Sequence, residues 1–249
     1  MSPLKTRNTY PIPILTYHQI AEAPPKGTPH RSLCVSPATF RKQMAFLALM
    51  GYQGLSMTAL QPYLRGERTG KVVGITLDDG YLNNLVHAAP VLRHYGYSST
   101  CYVVSQFLGK TNVWDQESGI PESALMDVAQ LREWVAGGQE VGAHTRHHVH
   151  LRQLVANKAR EEIALCKKDL ENVLGGVVDH FCYPYGEYEA GHAAMVVEAG
   201  YLTATTTQRS RCVEADSFTE LPRVPVARRT TRFALWLKLA TEYEDRRRR

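Results

Sequence analysis

An α/β barrel is the fold class this sequence predicts, and three observations carry the prediction. Short β-branched apolar runs alternate along the chain with amphipathic segments of helical period. Several of those runs end directly in carboxylates or histidines, the residue types that occupy loops at the carboxyl ends of parallel strands. At 249 residues and 44% hydrophobic, the chain can bury one sizeable core, so a single domain spanning 1–249 is expected.

The first strand is read at residues 13–18 (PILTYH), which delivers Tyr17 and His18 to a strand end. Residues 21–34, rich in Pro, Gly and Lys, form a loop over or beside that end. Residues 36–50 read as a helix, with Ser36 as N-cap, Pro37 in the first turn and Phe40, Met44 and Leu47 on one face. A glycine-bounded turn at 51–54 and a short helical piece at 58–64 precede the buried strand at 72–77, VVGITL. A helix at 83–95 closes at Gly96, and STCYVV at 99–104 is the next buried strand. Residues 125–136 read as a helix stopped by Gly137 and Gly138, feeding a strand at 139–143. The helix at 152–173 is amphipathic, its charges read as a solvated face. A strand within 178–186, a helix at 190–199 with a structural His192, and a β-rich strand at 201–207 follow. The last helix, 232–243, runs into Arg246–Arg249 and is read as a barrel lid, a membrane-surface contact or a frayed end.

Composition excludes several function classes. The net charge of +5 owes much to the four terminal arginines, so the body is close to balanced and presents no nucleic-acid face. Five scattered cysteines, odd in number and without a CxxC pair, point to a reducing compartment rather than a disulfide framework. No long apolar run stands near the N-terminus, so a cytoplasmic protein is expected, met by its substrate inside the cell.

The chemistry gathers after two strands. Asp78 and Asp79 follow VVGITL directly, and neighbouring carboxylates repel unless a cation or proton lies between them. That suits one aspartate on a metal and the other free as a base, although Asp-Asp-Gly is also ordinary turn chemistry. His144, His147, His148 and His150 crowd the loop after the strand at 139–143. His144 and His148 can face one ion if that loop coils as a helical turn, and with Asp79 they leave open positions for water. Trp114 suits stacking on a sugar ring or closing the barrel; Asp115 suits holding His18, holding the loop or capping a helix.

TLDDG at 76–80, HTRHH at 144–148 and CYPYG at 182–186, in that order, resemble the polysaccharide deacetylase family, the NodB-homology or family 4 carbohydrate esterases. The resemblance covers residues 14–226 and implies a single distorted (β/α) barrel with one divalent ion, zinc before cobalt, nickel, iron or manganese. It implies Asp79, His144 and His148 as metal ligands, Asp78 as the base, and the backbone N–H of Tyr185, stiffened by Pro184, as an oxyanion donor. The family's late Leu-x-His histidine is absent, since none follows His192. Similarity to the circularly rearranged poly-N-acetylglucosamine deacetylases, which start with a Tyr-His strand, places His18 as the acid that protonates the leaving amine. Cys182 stands where the common pattern has an arginine that orients the base, and Arg223 in LPRVPV is the candidate to compensate or to meet substrate. The implied reaction is removal of acetyl from an N-acetylated saccharide, nucleotide- or lipid-linked, in surface-glycan assembly. An amidase on a small non-sugar amide, an inactive glycan-binding protein and a metal-dependent phosphoesterase are the alternatives.

Overall fold

The computed structural model describes residues 11–248, so the first ten residues, part of the N-terminal stretch read as holding no long apolar run, and Arg249 lie outside it. The strands are β1 (Ile14–Tyr17), β2 (Gln19–Ile20), β3 (Cys34–Val35), β4 (Gln53–Leu55), β5 (Val72–Leu77), β6 (Thr100–Val103), β7 (Glu140–Ala143), β8 (His180–Cys182), β9 (Thr203–Arg209) and β10 (Leu221–Pro225). The helices are α1 (Pro37–Leu49), α2 (Met57–Leu64), α3 (Ala89–His94), α4 (Val128–Ala136), α5 (Ala156–Leu174), α6 (Ala190–Glu198) and α7 (Arg232–Ala240). Seven parallel strands close on themselves in the order β1-β10-β9-β8-β7-β6-β5, and β5 pairs back to β1 through Ile14↔Gly74 to Tyr17↔Leu77. The expected distorted (β/α) barrel is therefore the fold. β4 is an eighth strand, pairing with the first half of β5 at Gln53↔Val72 to Leu55↔Gly74.

The two-residue period of the strands sorts the core into two groups. Leu15, Tyr17, Val73, Ile75, Leu77, Val141 and Phe181 pack with helix residues such as Phe40, Leu92, Trp134 and Ile163. Ile14, Tyr102, Cys182 and Leu221 pack instead with Met57 and Leu60 of α2. Gly142 makes room for the Tyr102 ring, because a Cβ there would come within 2.5 Å of it. α2 closes the end of the barrel where the strands begin: Thr58 bonds Glu140 and His180, the first residues of β7 and β8.

Several element boundaries differ from the sequence reading. α4 starts at Val128 because Asp127 caps it in a reciprocal pair with Gln130, while Leu125 bridges to Tyr81. The segment 83–95 divides into a π-turn at Asn84–Ala88 and α3, and α5 starts only at Ala156. β10 falls on a segment whose two prolines argue against a strand; a register shift against β9 between Leu221 and Arg223 accommodates Pro222, and Pro225 is the last residue of the strand, paired with Thr16 of β1. The C-terminal segment is not frayed through Arg248. Asp245 pairs with Arg211, Asp216 with Arg248, and the buried Glu244 with Arg209. α7 buries Leu235 and Leu239 and leaves Phe233 and Trp236 exposed. All five cysteines are buried and free, and among the described residues no helix is long and apolar enough to cross a membrane.

Candidate active site

β5 runs out into Asp78, and Asp79 and Gly80 follow in the left-handed region at φ 75° and 81°. The two neighbouring carboxylates take different partners. Asp78 Oδ1 and Oδ2 accept from Arg223 Nη1 and Nη2 at 2.7 and 2.8 Å. Arg223 also donates from Nε to the Thr206 carbonyl at 2.8 Å and from Nη1 to Thr76 Oγ1 at 3.1 Å. The guanidinium facing Asp78 thus arrives from β10 rather than β8, and the small Cys182 thiol lies against it, 3.2 Å from Nη2. Burial works to raise the Asp78 pKa, but Arg223 and then His18 outweigh it and hold the carboxyl below its usual range.

Asp79 faces the histidine loop. His144 Nε2 and His148 Nε2 lie 3.5 and 3.3 Å from Asp79 Oδ1, and burial is again outweighed, here by those two histidines, so its pKa falls well below normal. The loop does not coil as the helical turn that the four-residue spacing suggested. Thr145 and His148 take left-handed backbone at φ 61° and 55°, which turns both rings inward. Its backbone is braced from behind: the Thr145 carbonyl accepts from Ser105 N, Glu162 accepts the Arg146 and His147 N–H groups, and Asp169 accepts Arg146 Nε. Glu162 and Asp169 belong to α5, so part of what reads as its solvated face is the loop's support.

The ring nitrogens are differentiated. His144 Nδ1 donates to the Cys182 carbonyl at 2.7 Å, which leaves Nε2 as a lone-pair donor toward Asp79. His148 Nδ1 is buried and has no hydrogen-bond partner among the described residues. Its ring is held by faces instead: Trp114 stacks on it at 4.7 Å and 23°, and Tyr185 meets it edgewise at 4.6 Å. Two imidazole nitrogens and one carboxylate oxygen, all buried and within 4.8 Å of one another, are a donor set that fits one divalent ion with positions to spare.

His18 Nε2 stands 3.9 Å from Asp78 Oδ2, and its backbone is clamped by a residue sequence reasoning overlooked. The fully buried Asn84 donates to the His18 carbonyl at 2.8 Å and accepts from Ile20 N at 3.1 Å. Asn84→Ala strands the His18 carbonyl and leaves Ile20 N only its second acceptor, Asn83 Oδ1, and a loss of about 1–3 kcal/mol in a urea melt is expected, with activity falling alongside. Tyr185, in left-handed backbone at φ 58°, stacks on His150 at 3.9 Å, and His150 bonds Glu187. Asp115 accepts from Asn112 Nδ2 at 2.9 Å.

A cavity of about 450 Å³ opens above these groups, floored by His18, Asp78, Asp79, His144, His148 and Arg223. Arg31 and His30 wall one side, Asp115 and Tyr185 others. Trp114 and Pro184 are not among the lining residues: Trp114 stands against His148 and Pro184 is buried in the turn before Tyr185. Among the described residues the non-glycine left-handed positions are His30, Asp79, Thr145, His148 and Tyr185, every one on this cavity or its histidine loop. Backbone strain of that kind concentrates at functional sites.

The polysaccharide deacetylase family model matches residues 65–204, more than half of the chain. The Bacillus subtilis protein named "Putative polysaccharide deacetylase YxkH" is 27% identical over 226 residues, which cover 90% of this chain and 74% of that protein. Among solved structures, Streptococcus pyogenes deacetylase PplD in complex with acetate superposes with a TM-score of 0.81 at 24% identity, over 92% of this chain and 98% of that one. IcaB from Ammonifex degensii gives a TM-score of 0.78 at 24% identity, over 92% of this chain and 97% of that one. These two likenesses establish the barrel. Because the family model spans more than half of the chain, the chain belongs to the polysaccharide deacetylase family, and the matched span contains Asp78, Asp79, His144, His148 and Tyr185 of the cavity.

Proposed function

We propose that the protein hydrolyses the acetamide of an N-acetylated sugar, in a glycan or a nucleotide- or lipid-linked glycan precursor, with one divalent ion. The observation that carries this reading is Asp78, forked by Arg223, beside the converging Asp79, His144 and His148 donors. Asp79, His144 and His148 would hold the ion, zinc ahead of cobalt, nickel, iron or manganese. When bound, the ion polarises the acetyl carbonyl and acidifies water. Asp78 takes the proton of the attacking water, because its carboxylate is unprotonated and held in one orientation. The Tyr185 N–H, aimed by Pro184 and the left-handed turn, donates to the carbonyl oxygen as it gains charge. His18, across from Asp78, returns a proton to the departing amine. Asp115 accepts hydrogen bonds from sugar hydroxyls at the cavity wall.

Trp114 is better supported as a brace for His148 than as a sugar platform, since the ring nitrogen that would normally anchor that imidazole has no bond. Trp114→Ala is expected to weaken metal retention about 10–100-fold, the usual cost of losing a group that orients a ligand. Competition against a chromophoric chelator reads this without reference to turnover.

The function itself is tested by acetate release from N-acetylhexosamine oligomers, nucleotide sugars and lipid-linked N-acetyl sugars, with zinc or cobalt added. Metal-dependent release from any of them supports the deacetylase. Metal binding without release would turn the reading to a small non-sugar amide, and neither would leave a glycan-binding protein.

A further inference from the structure

A second cavity, of about 570 Å³, adjoins the first and shares its Thr207 wall. A Cβ on Gly186 would come within 1.8 Å of Thr207 Oγ1, so bare backbone packs directly against the threonine that both cavities share. The other boundaries include Tyr188, Arg209 at the end of β9, and Arg247 from the C-terminal segment.

The charges there do not cancel. Glu244, fully buried, accepts from Arg209 Nε and Nη2 at 2.8 and 3.0 Å and also from Lys238 Nζ. Arg247 lies over the Tyr243 ring at 3.9 Å, donates to the Tyr243 carbonyl, and makes no ion pair among the described residues. Arg209 and Lys238 therefore share one carboxylate, and Arg247 is left without one among the described residues. The neighbouring pairs Arg211–Asp245 and Arg248–Asp216 are each matched one to one. Glu220, bonded to the Tyr188 phenol, offsets only part of the surplus. A guanidinium stacked on an aromatic ring keeps its remaining N–H groups in a fixed plane, the geometry that meets two oxygens of a carboxylate or phosphate.

We propose that this second cavity is a subsite for an anionic oxygen group, phosphate or carboxylate, that the substrate carries next to its N-acetyl sugar. Arg247 is its principal contact and Arg209 its second wall. The proposal rests on the deacetylase reading and adds a substrate class to it: the sugar at the metal-ligand set is part of a charged molecule, not of a neutral homopolymer.

The test uses the full chain with zinc and three probes: a neutral N-acetylglucosamine tetramer, the same tetramer bearing a lactyl-ether carboxylate, and a uridine-diphosphate N-acetylhexosamine. The wild-type protein is expected to favour at least one charged probe by about tenfold in kcat/KM, as a charge-assisted contact supplies. Which probe it favours separates carboxylate from phosphate. Arg247→Gln should erase the preference and leave turnover of the neutral tetramer unchanged, while Arg247→Lys should restore part of it. Equal turnover of all three probes, or a preference that survives Arg247→Gln, overturns the subsite. If no probe releases acetate, the deacetylase reading has failed separately, and calorimetry decides the subsite alone. Binding of uridine diphosphate or the carboxylated tetramer that Arg247→Gln loses supports it; no binding, or binding unaffected by the change, ends it.

Discussion

Asp78→Asn is expected to lower kcat/KM for acetate release by about 10²–10⁴-fold, the range a general base contributes, while metal content stays at the wild-type level. The separation follows from the partners. Asp78 bonds Arg223 through both oxygens and faces His18, whereas Asp79 is the carboxylate that meets the two histidines. Asparagine keeps the size and one acceptor for the guanidinium but cannot take a proton from water. Asp79→Asn should do the reverse in the metal assay, losing the ion along with activity, because it removes the anionic member of the donor set. Metal analysis of the two proteins side by side reads the difference. Equal metal loss in both would mean that Asp78 is a ligand, and the division of labour between the two carboxylates would fall.

How much of the fold and the site is legible in the sequence depends on distance along the chain. The Asp78–Asp79 pair, the histidine loop and the Tyr17–His18 strand are short, sit at strand ends and announce themselves by residue type. The Arg223–Asp78 fork joins residues 145 apart and exists because β10 closes the barrel against β1. Two prolines hid that strand, and no local pattern encodes the closure. The histidine loop shows the opposite failure. Its spacing was legible, but its shape rests on a β-branched Thr145 in left-handed backbone, which sequence preference argues against and tertiary bracing imposes. The bracing carboxylates Glu162 and Asp169 are seven apart and so share one face of α5, a signal present in the sequence but indistinguishable there from solvated charge.

Arg223→Met is expected to cost about 3–5 kcal/mol of stability at neutral pH, the typical result of stripping one partner from a buried ion pair. Asp78 and Arg223 are both nearly inaccessible, at 3% and 2% exposure, so solvent cannot replace the lost fork. The pH dependence should change sign as well. In the wild-type protein the Asp78 pKa is depressed, so its contribution is present above the unfolded value of about 3.9 and is lost as pH falls through the lower folded value. Without Arg223 the burial that opposes ionisation has lost its chief opponent, and the folded pKa moves upward. Asp78 then destabilises the variant at neutral pH, and acidification relieves that penalty as the carboxyl protonates. Urea melts from pH 7 down to pH 4 should therefore show the gap between the two proteins narrowing, and the acid limb of the activity profile moving to higher pH. Asp78→Asn combined with Arg223→Met removes both charges and should recover much of the stability but none of the activity. A double variant as unstable as Arg223→Met alone would show that Arg223 matters through its packing and its bonds to Thr206 and Thr76, and not through the charge it sets against Asp78.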